Sequence, residues 1–395
     1  RLSTVESAEN IIVLKDGRIV ESGSHSDLMN LENNYFELYK NQFKDEIEPT
    51  RKKLPSFKAQ FSLTDTRPSN FIEDAWYGNK NWIKLFIPIS WIYRFLFNFF
   101  KKRKLASAWK PNFKTIVIGN LTVGGTGKTP LVIWLVNELK KEGFRPGVVS
   151  RGYKSLANNN PILIDQSSSP NDVGDEPLII FNNTNCPVVI GSDRVGAAKY
   201  LIKNKNCNIL ISDDGLQHFK LGRDIEIAMV DGLRKFGNNL LLPAGPLREP
   251  VKKLDEVDFV INTNNFYSKD AENKRNNFLM TYKPVSWVNL VTQQSIDIYD
   301  WSKDRIVYGI AGIGNPSSFF SLLRSLNFQV IEKVFPDHHE FIDTDFYEMD
   351  DLPIVMTEKD AIKCKFLKNE NCWYLKIEPS IEENFKIDLF NKISI

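Results

Sequence analysis

The 395-residue sequence predicts an α/β fold built on a mostly parallel sheet, and three observations carry that reading. Short continuous apolar runs recur at Thr115 to Ile118, Gly147 to Ser150, Val188 to Ile190, Ile209 to Ser212, Ile225 to Val230 and Phe259 to Asn262. Runs apolar on both faces belong inside a parallel sheet covered by helices on each side. Helical patterns lie between several of them. The first run, finally, ends in a glycine-rich loop that opens a helix: Gly119-Asn120-Leu121-Thr122-Val123-Gly124-Gly125-Thr126-Gly127-Lys128-Thr129.

Composition narrows the class. The length admits two or three domains and a sizeable core. A net charge of +2 gives no global case for nucleic acid, and the local basic run is Lys101-Lys102-Arg103-Lys104. Cys186, Cys207, Cys364 and Cys372 show neither Cys-x-x-Cys spacing nor a neighbouring histidine cluster, so neither structural zinc nor a disulfide framework is expected. A reducing, cytosolic compartment fits that usage. No apolar core follows Arg1-Leu2-Ser3-Thr4-Val5-Glu6, so no signal peptide is expected.

Taken in order, residues 1–43 read as strand, Asp-Gly turn, strand and helix, a unit too small to fold unaided. Residues 44–70 are polar and aperiodic, the pattern of a linker. In residues 71–110, Trp82 to Phe100 is dense in aromatics, is interrupted by Lys84, Pro88 and Arg94, and precedes the basic run. At 1.5 Å per residue it is long enough to cross a hydrocarbon core, yet its charges and aromatics fit a helix lying in the membrane interface at least as well. A buried core helix is the alternative. Residues 111–263 carry the apolar runs, and residues 264–395 repeat the alternation as a second, smaller α/β lobe.

The glycine-rich loop is the strongest chemical signal. Glycines let successive N–H groups surround a phosphate chain, and the helix behind adds the positive end of its dipole. Thr122 to Thr129 would then form a P-loop, with Lys128 on the β- and γ-phosphates of ATP and Thr129 on Mg²⁺. The fold expected is therefore P-loop NTPase-like. Asp213 and Asp214 close an apolar run at the sheet edge where ligands sit, and one of them can reach the metal. Both could instead cap a turn. Gly215-Leu216-Gln217-His218 follows at the same edge. Asp175 opens a helical stretch and reads as a cap; Asp337-His338-His339 could be ordinary loop groups or supply a base. Pro243 to Pro250 is a stiff loop bearing Arg248 and Glu249. Gly312-Ile313-Gly314-Asn315-Pro316 is explained as a capped turn, and Thr357-Glu358-Lys359-Asp360 is a charged strand end of undecided use.

As a set, these stretches resemble the lipid A 4′-kinase family. The resemblance rests on Pro88-Ile89-Ser90-Trp91-Ile92-Tyr93, Gly119 through Pro130, Ser150-Arg151-Gly152-Tyr153, Gly174-Asp175-Glu176-Pro177, Asp213 through His218, Leu242 through Glu249, Asp337-His338 and Met356 through Ala361. It implies ATP-dependent phosphorylation of the 4′-hydroxyl of a tetraacylated glucosamine disaccharide 1-phosphate, a lipid A precursor, at the cytoplasmic face of the bacterial inner membrane. It also implies that Asp175 and His338 act together as the base, that Thr129, Asp213 and Glu249 surround Mg²⁺, and that Arg151, Tyr153, Asp214, His218 and Arg248 lie near nucleotide or substrate. Residues 1 to 25 resemble the last piece of a lipid-flippase ATPase domain, so a fused or neighbouring flippase is a possible partner. The competing class is a nucleotide-switched, membrane-associated binding protein. Against it, Val123 replaces a lysine common in such switches, and no Asn-Lys-x-Asp follows Asn262.

Overall fold

The structure is a computed structural model, and it describes residues 11–15, 18–23, 28, 35, 71–78, 80–152, 160–263, 276–347, 349 and 351–394. The chain divides into two compact units, residues 1–65 and 66–395. In the first, β1 (Ile11–Lys15) pairs antiparallel with β2 (Arg18–Gly23), with a register shift between Val13 and Leu14. Of the helix expected after it, Leu28 and Tyr35 lie among the described residues; both are helical and buried. The linker of residues 44–70 and Tyr153 lie outside the described residues.

The second unit begins with α1 (Phe71–Tyr77) and a 3-10 turn that runs into α2 (Ile87–Ala106). There follow β3 (Thr115–Asn120), α3 (Lys128–Lys141), β4 (Pro146–Ser150), β5 (Ile162–Leu163), α4 (Pro170–Val173), α5 (Asp175–Thr184) and β6 (Val188–Ile190). Next come α6 (Arg194–Asn204), β7 (Ile209–Ser212), β8 (Ile225–Asp231), β9 (Phe259–Thr263), β10 (Asn277–Asn289) and β11 (Ser295–Asp297). The chain ends with β12 (Ile306–Ala311), α7 (Pro316–Ser325), β13 (Gln329–Val334), β14 (Ile354–Thr357), α8 (Glu358–Ala361), β15 (Cys372–Ile381) and α9 (Glu383–Ser394).

All the described strands of this unit join one sheet, in the order β13-β12-β14-β15-β10-β9-β8-β3-β7-β4-β6-β5, with β11 paired to β10. The six apolar runs became β3, β4, β6, β7, β8 and β9, and the pairs among them are parallel. In the second lobe, β12, β13, β14 and β15 are also mutually parallel. Direction reverses where β10 meets β15, an antiparallel ribbon running from Met280 against Ile381 to Asn289 against Trp373. The boundary placed near residue 264 therefore separates two cores but not two sheets. One core holds Ile116, Leu131, Val188 and Ile227; the other holds Trp287, Trp301, Phe320 and Trp373. The last helix crosses that boundary, because Phe385, Leu389 and Ile393 of α9 pack into the first core.

Helix α2 has two unlike faces. Ser90, Tyr93, Phe97 and Lys101, at spacings of three and four residues, face the protein. Ser90 Oγ donates to Leu241 O at 2.9 Å and accepts from Ala244 N at 3.2 Å. Tyr93 Oη donates to Arg248 O at 3.0 Å, and Phe97 meets Phe219 edge-on at 5.7 Å. Trp91 and Phe95, 68% and 71% exposed, lie with Ile92 and Phe99 on the open side. Asn81–Ala106 is long and apolar enough to cross a membrane by composition. One whole face is nevertheless committed to protein.

Ser90 satisfies two otherwise buried backbone groups, so Ser90→Ala is expected to cost about 2 kcal/mol in urea unfolding. Trp91→Ser, on the open face, is expected to change stability by less than about 0.5 kcal/mol.

Candidate active site

The site is built at the carboxyl ends of β3 and β7. Asn120, fully buried at the end of β3, donates through Nδ2 to Gly124 O at 3.2 Å and so pins the loop that follows. Gly127 takes a left-handed φ of 79° ahead of α3, and a Cβ there would stand 2.0 Å from Tyr282 Oη. Only glycine fits, on conformation and on space. The other side of the loop rests on the Pro243 to Pro250 segment, through Val123 N to Pro246 O at 2.9 Å and a bridge between Thr122 and Leu247. Thr126 Oγ1 is buried and has no hydrogen-bond partner among the described residues. Gly124 and Gly125 lie in the loop before Lys128, and Thr129 follows it in the first turn of α3.

Lys128 Nζ stands 3.4 Å from Asn120 Oδ1 and 3.4 Å from Asp214 Oδ1. Asp214 occupies a left-handed φ of 48° and also faces Arg248 Nη1 at 3.6 Å. Burial opposes its charge, but Lys128, Arg248 and Arg194 hold its carboxyl at about 2. Asp213, its neighbour, meets the opposite fate. Burial, reinforced by Glu176 and Asp214, raises its carboxyl to about 6 although Ser150 Oγ donates to Oδ2 at 2.9 Å. Its Oδ1 is buried without a partner among the described residues.

An orphaned carboxylate oxygen beside a P-loop suits a hard cation, which commonly takes one or two carboxylates and completes its shell with phosphate and water. Asp213 fits that role. Glu249 is already engaged on both oxygens, by Lys101 Nζ at 3.0 Å and Gln217 Nε2 at 3.0 Å. Among the described residues no group of three or more His, Cys, Asp and Glu side chains could hold a metal by itself. Gln217 also donates to Asn120 O at 3.2 Å and accepts from Arg248 Nη1 at 3.4 Å. Lys101, Glu249, Gln217, Arg248, Asp214 and Lys128 thus form one chain of contacts from α2 to the P-loop.

His218 lies at the same edge, and burial together with Arg194 and Arg151 pushes it down to about 4. Arg194 is itself buried, donating to Gly191 O at 2.9 Å and Asp213 O at 3.0 Å, and burial lowers it to about 10.

Across the cleft, His338 of the second lobe reaches Asp175, the first residue of α5, with Nδ1 3.0 Å from Oδ2. The two residues are 163 positions apart in sequence. Burial opposes the charge of Asp175, yet the His338 hydrogen bond, Lys363 and Lys359 keep its carboxyl below the usual range. His338 holds a left-handed φ of 61°, which a non-glycine residue keeps only when its surroundings impose it. His339 turns away to Asp345 at 2.9 Å.

The structure thus joins Lys128, Asp213, Asp214, Arg248 and Glu249 around the loop and pairs Asp175 with His338. Sequence reasoning passed over Asn120, Arg194, Tyr282 and Arg234. Arg234 donates to Gly314 O at 2.6 Å, beside the P-loop, and stacks on Tyr77 at 5.4 Å. Nothing in its local sequence marks it. Arg194 does carry a signal, since Ser192-Asp193 starts a helix whose first residue would normally face solvent; its burial depends on the strands around it.

A P-loop with an acidic strand end and a carboxylate–imidazole pair facing it defines an α/β phosphotransferase. A profile of the tetraacyldisaccharide-1-P 4′-kinase family matches residues 82–394, and the chain belongs to that family. Tetraacyldisaccharide 4′-kinases of Hahella chejuensis and Legionella pneumophila are 39% and 40% identical to it over 323 and 320 residues. Each alignment covers 80% of this chain, with 94% and 95% of the relative. A crystal structure of LpxK from Aquifex aeolicus in complex with ATP is similar at a TM-score of 0.66 and 27% identity, covering 79% of this chain and 99% of that one.

The depressed basicity of His218 ties stability to pH. From an ordinary value near 6.5 down to about 4 the unfolded chain binds a proton at this ring and the folded chain does not, so stability falls as pH drops through that window. In urea unfolding at pH 7 and pH 5 the wild type should lose on the order of 1–2 kcal/mol relative to His218→Gln, the raised Asp213 carboxyl acting in the opposite sense in both proteins.

Proposed function

We propose that this chain transfers the γ-phosphoryl group of ATP to the 4′-hydroxyl of a tetraacylated glucosamine disaccharide 1-phosphate in lipid A biosynthesis. The observation that carries the reading is the Asp175–His338 pair held 3.0 Å apart across from a P-loop whose lysine is in place. Loop N–H groups from Gly124 to Lys128 bind the phosphates. Lys128 leaves Asp214 for the γ-phosphate, and Asp214 keeps Arg248 as its counter-ion. Thr129 and Asp213 would hold Mg²⁺, which would supply neutralisation of phosphate charge. Glu249, which meets Gln217 and Lys101 at the same edge, would add a further carboxylate to that site.

His338 Nδ1 orients Asp175 and leaves Oδ1 to take the acceptor proton. The O–H bond of the 4′-hydroxyl breaks toward Asp175 as its oxygen bonds to the γ-phosphorus, and the bond to the β-bridging oxygen breaks with its electron pair leaving on ADP. Phosphoryl transfer asks for positioning and charge more than for a strong base, which suits a carboxylate kept ionised. His218, Arg194 and Arg151 form a cationic and polar edge suited to an anionic substrate.

Helix α2 lies in the interface of the cytoplasmic leaflet on this reading. Its exposed aromatics enter the acyl boundary and Lys102, Arg103 and Lys104 meet anionic headgroups. The substrate then stays in the bilayer while its sugar enters the cleft. The hairpin of residues 11–23 is compatible with a natural fusion to a lipid flippase, whose cargo is related.

The decisive assay is transfer of labelled γ-phosphate from ATP to the tetraacyl disaccharide 1-phosphate in detergent micelles; a folded protein that labels no lipid refutes the function. In that assay Lys128→Ala should lower kcat by about 100- to 1,000-fold. Asp175→Ala, His338→Ala and the double variant should lose comparable rate, as members of one unit do, whereas independent caps would give small additive losses. Flotation with anionic liposomes tests the membrane contact: a protein lacking residues 1–70 should float, and salt should weaken its binding.

A further inference from the structure

Lys359, on α8, has no role in the reaction as described, yet its ammonium sits inside the base. Nζ is 3.4 Å from His338 Nε2 and 3.0 Å from Asp337 Oδ1, with the Glu176 carboxylate in ion-pair range at 3.7 Å. Its side chain is largely covered, and the element that carries it is tied to α5 by Asn183 Nδ2 donating to Glu358 Oε1 at 2.7 Å. An ammonium only donates. The imidazole nitrogen facing it must therefore be the one without a proton.

We propose that Lys359 is a positioning residue that fixes the tautomer of His338, with the proton on Nδ1, and thereby makes Asp175 rather than His338 the group that receives the acceptor proton. This rests on the reading of Asp175 and His338 as the base. With Nε2 blocked by Lys359, the ring has no free lone pair to offer a hydroxyl. Its single N–H points at Asp175 Oδ2, which holds that carboxylate in line and leaves Oδ1 open. The arrangement opposes the ordinary bias of the ring, since a free histidine side chain favours the proton on Nε2.

Lys359 also screens a competitor. Asp337 Oδ1 lies 3.9 Å from Nε2, with the ammonium as the partner of both. Without Lys359 that carboxylate would face Nε2 with no ammonium between them and invite a proton onto it. Lys363, which influences Asp175 from the same helical region, cannot substitute, because it is paired with Asp360 at 3.0 Å. Charge alone is therefore not what Lys359 contributes; its place against Nε2 is.

The test is nitrogen NMR of the full chain labelled with ¹⁵N-histidine in detergent micelles near pH 7.5, with His338 assigned by the signal lost in His338→Gln. The wild type should show a pyrrole-type Nδ1 and a pyridine-type Nε2. In Lys359→Met, Nε2 should become pyrrole-type, and kcat should fall about 10- to 100-fold with KM for ATP changed less than about twofold. A wild-type ring protonated on Nε2, or an unchanged tautomer in Lys359→Met, would overturn the proposal. Unchanged tautomer with a raised KM for ATP would make Lys359 a phosphate contact instead. Should Lys359→Met not fold, the wild-type spectrum still decides. Full activity in His338→Ala would overturn the base assignment while leaving the tautomer result standing, so the two failures are separable.

Discussion

One long antiparallel ribbon, β10 against β15, is the constraint on which the remaining structure depends. It is the place where two parallel strand sets meet head to tail in a single sheet. Because direction reverses there, the loops after β12 and β13 would lie on the far edge if the sheet were flat. They do not: an added Cβ at Gly314 would lie 3.8 Å from Gly125 N, and His338 reaches Asp175. The sheet must therefore twist and bend through this ribbon, whose register shifts between Pro284 and Ser286. The same strand brings Tyr282 against Gly127, and the chain leaving β15 forms α9, which closes the first core with Phe385 among Phe259, Phe278 and Trp134. Loop shape, lobe closure and core completion are thus consequences of one pairing.

Charge is distributed around the P-loop so that no single ion is left uncompensated, while a few atoms are left unsatisfied. Lys128, Arg194 and Arg248 face Asp213 and Asp214, and the acids divide: one is held ionised, the other is pushed toward neutrality by burial and by its neighbours. Two adjacent carboxylates in a dry site cannot both ionise cheaply without a further cation. The unpartnered Asp213 Oδ1 and Thr126 Oγ1 belong to the same pattern. Buried polar groups without partners are rare in folded proteins, and these two lie where a phosphate loop takes its ligand.

What the sequence could reveal follows from the range of the interactions involved. The six apolar runs and the P-loop depend on local pattern, and each strand appeared where its residues predicted it. β10 did not: Asn-Phe-Leu-Met-Thr-Tyr-Lys-Pro-Val-Ser-Trp-Val-Asn carries Lys283 and Pro284 and no sustained alternation, so the segment was passed over. It is a strand because β15 and β9 pair with it, and Pro284 is tolerated at the register shift. For the same reason the lobes were legible as lobes while their shared sheet was not. At the site, Asp175 reads as a cap and His338 as either a loop group or a base, and only the resemblance joins the two. Glu249 was expected at the metal; what the structure adds is that its two oxygens meet Lys101 and Gln217, a contact between α2 and the site that no sequence spacing could disclose.

That contact bears on why the aromatic helix sits where it does. A helix surrounded by lipid must satisfy its surroundings on every face, but α2 presents serine, tyrosine and lysine to the kinase core and aromatic side chains to the outside. Ser90 donates to Leu241 O and accepts from Ala244 N, Tyr93 donates to Arg248 O, and the Pro243 to Pro250 segment they hold in turn supports Val123 of the P-loop. Lys101, one step before the exposed basic run, neutralises Glu249 beside Gln217. The helix is therefore both a covering for the outer face and a brace for the phosphate loop. Removing it would strip partners from Leu241, Ala244, Arg248 and Glu249 together, which is why a segment apolar enough to span a bilayer is better understood as part of the catalytic unit than as a detachable anchor.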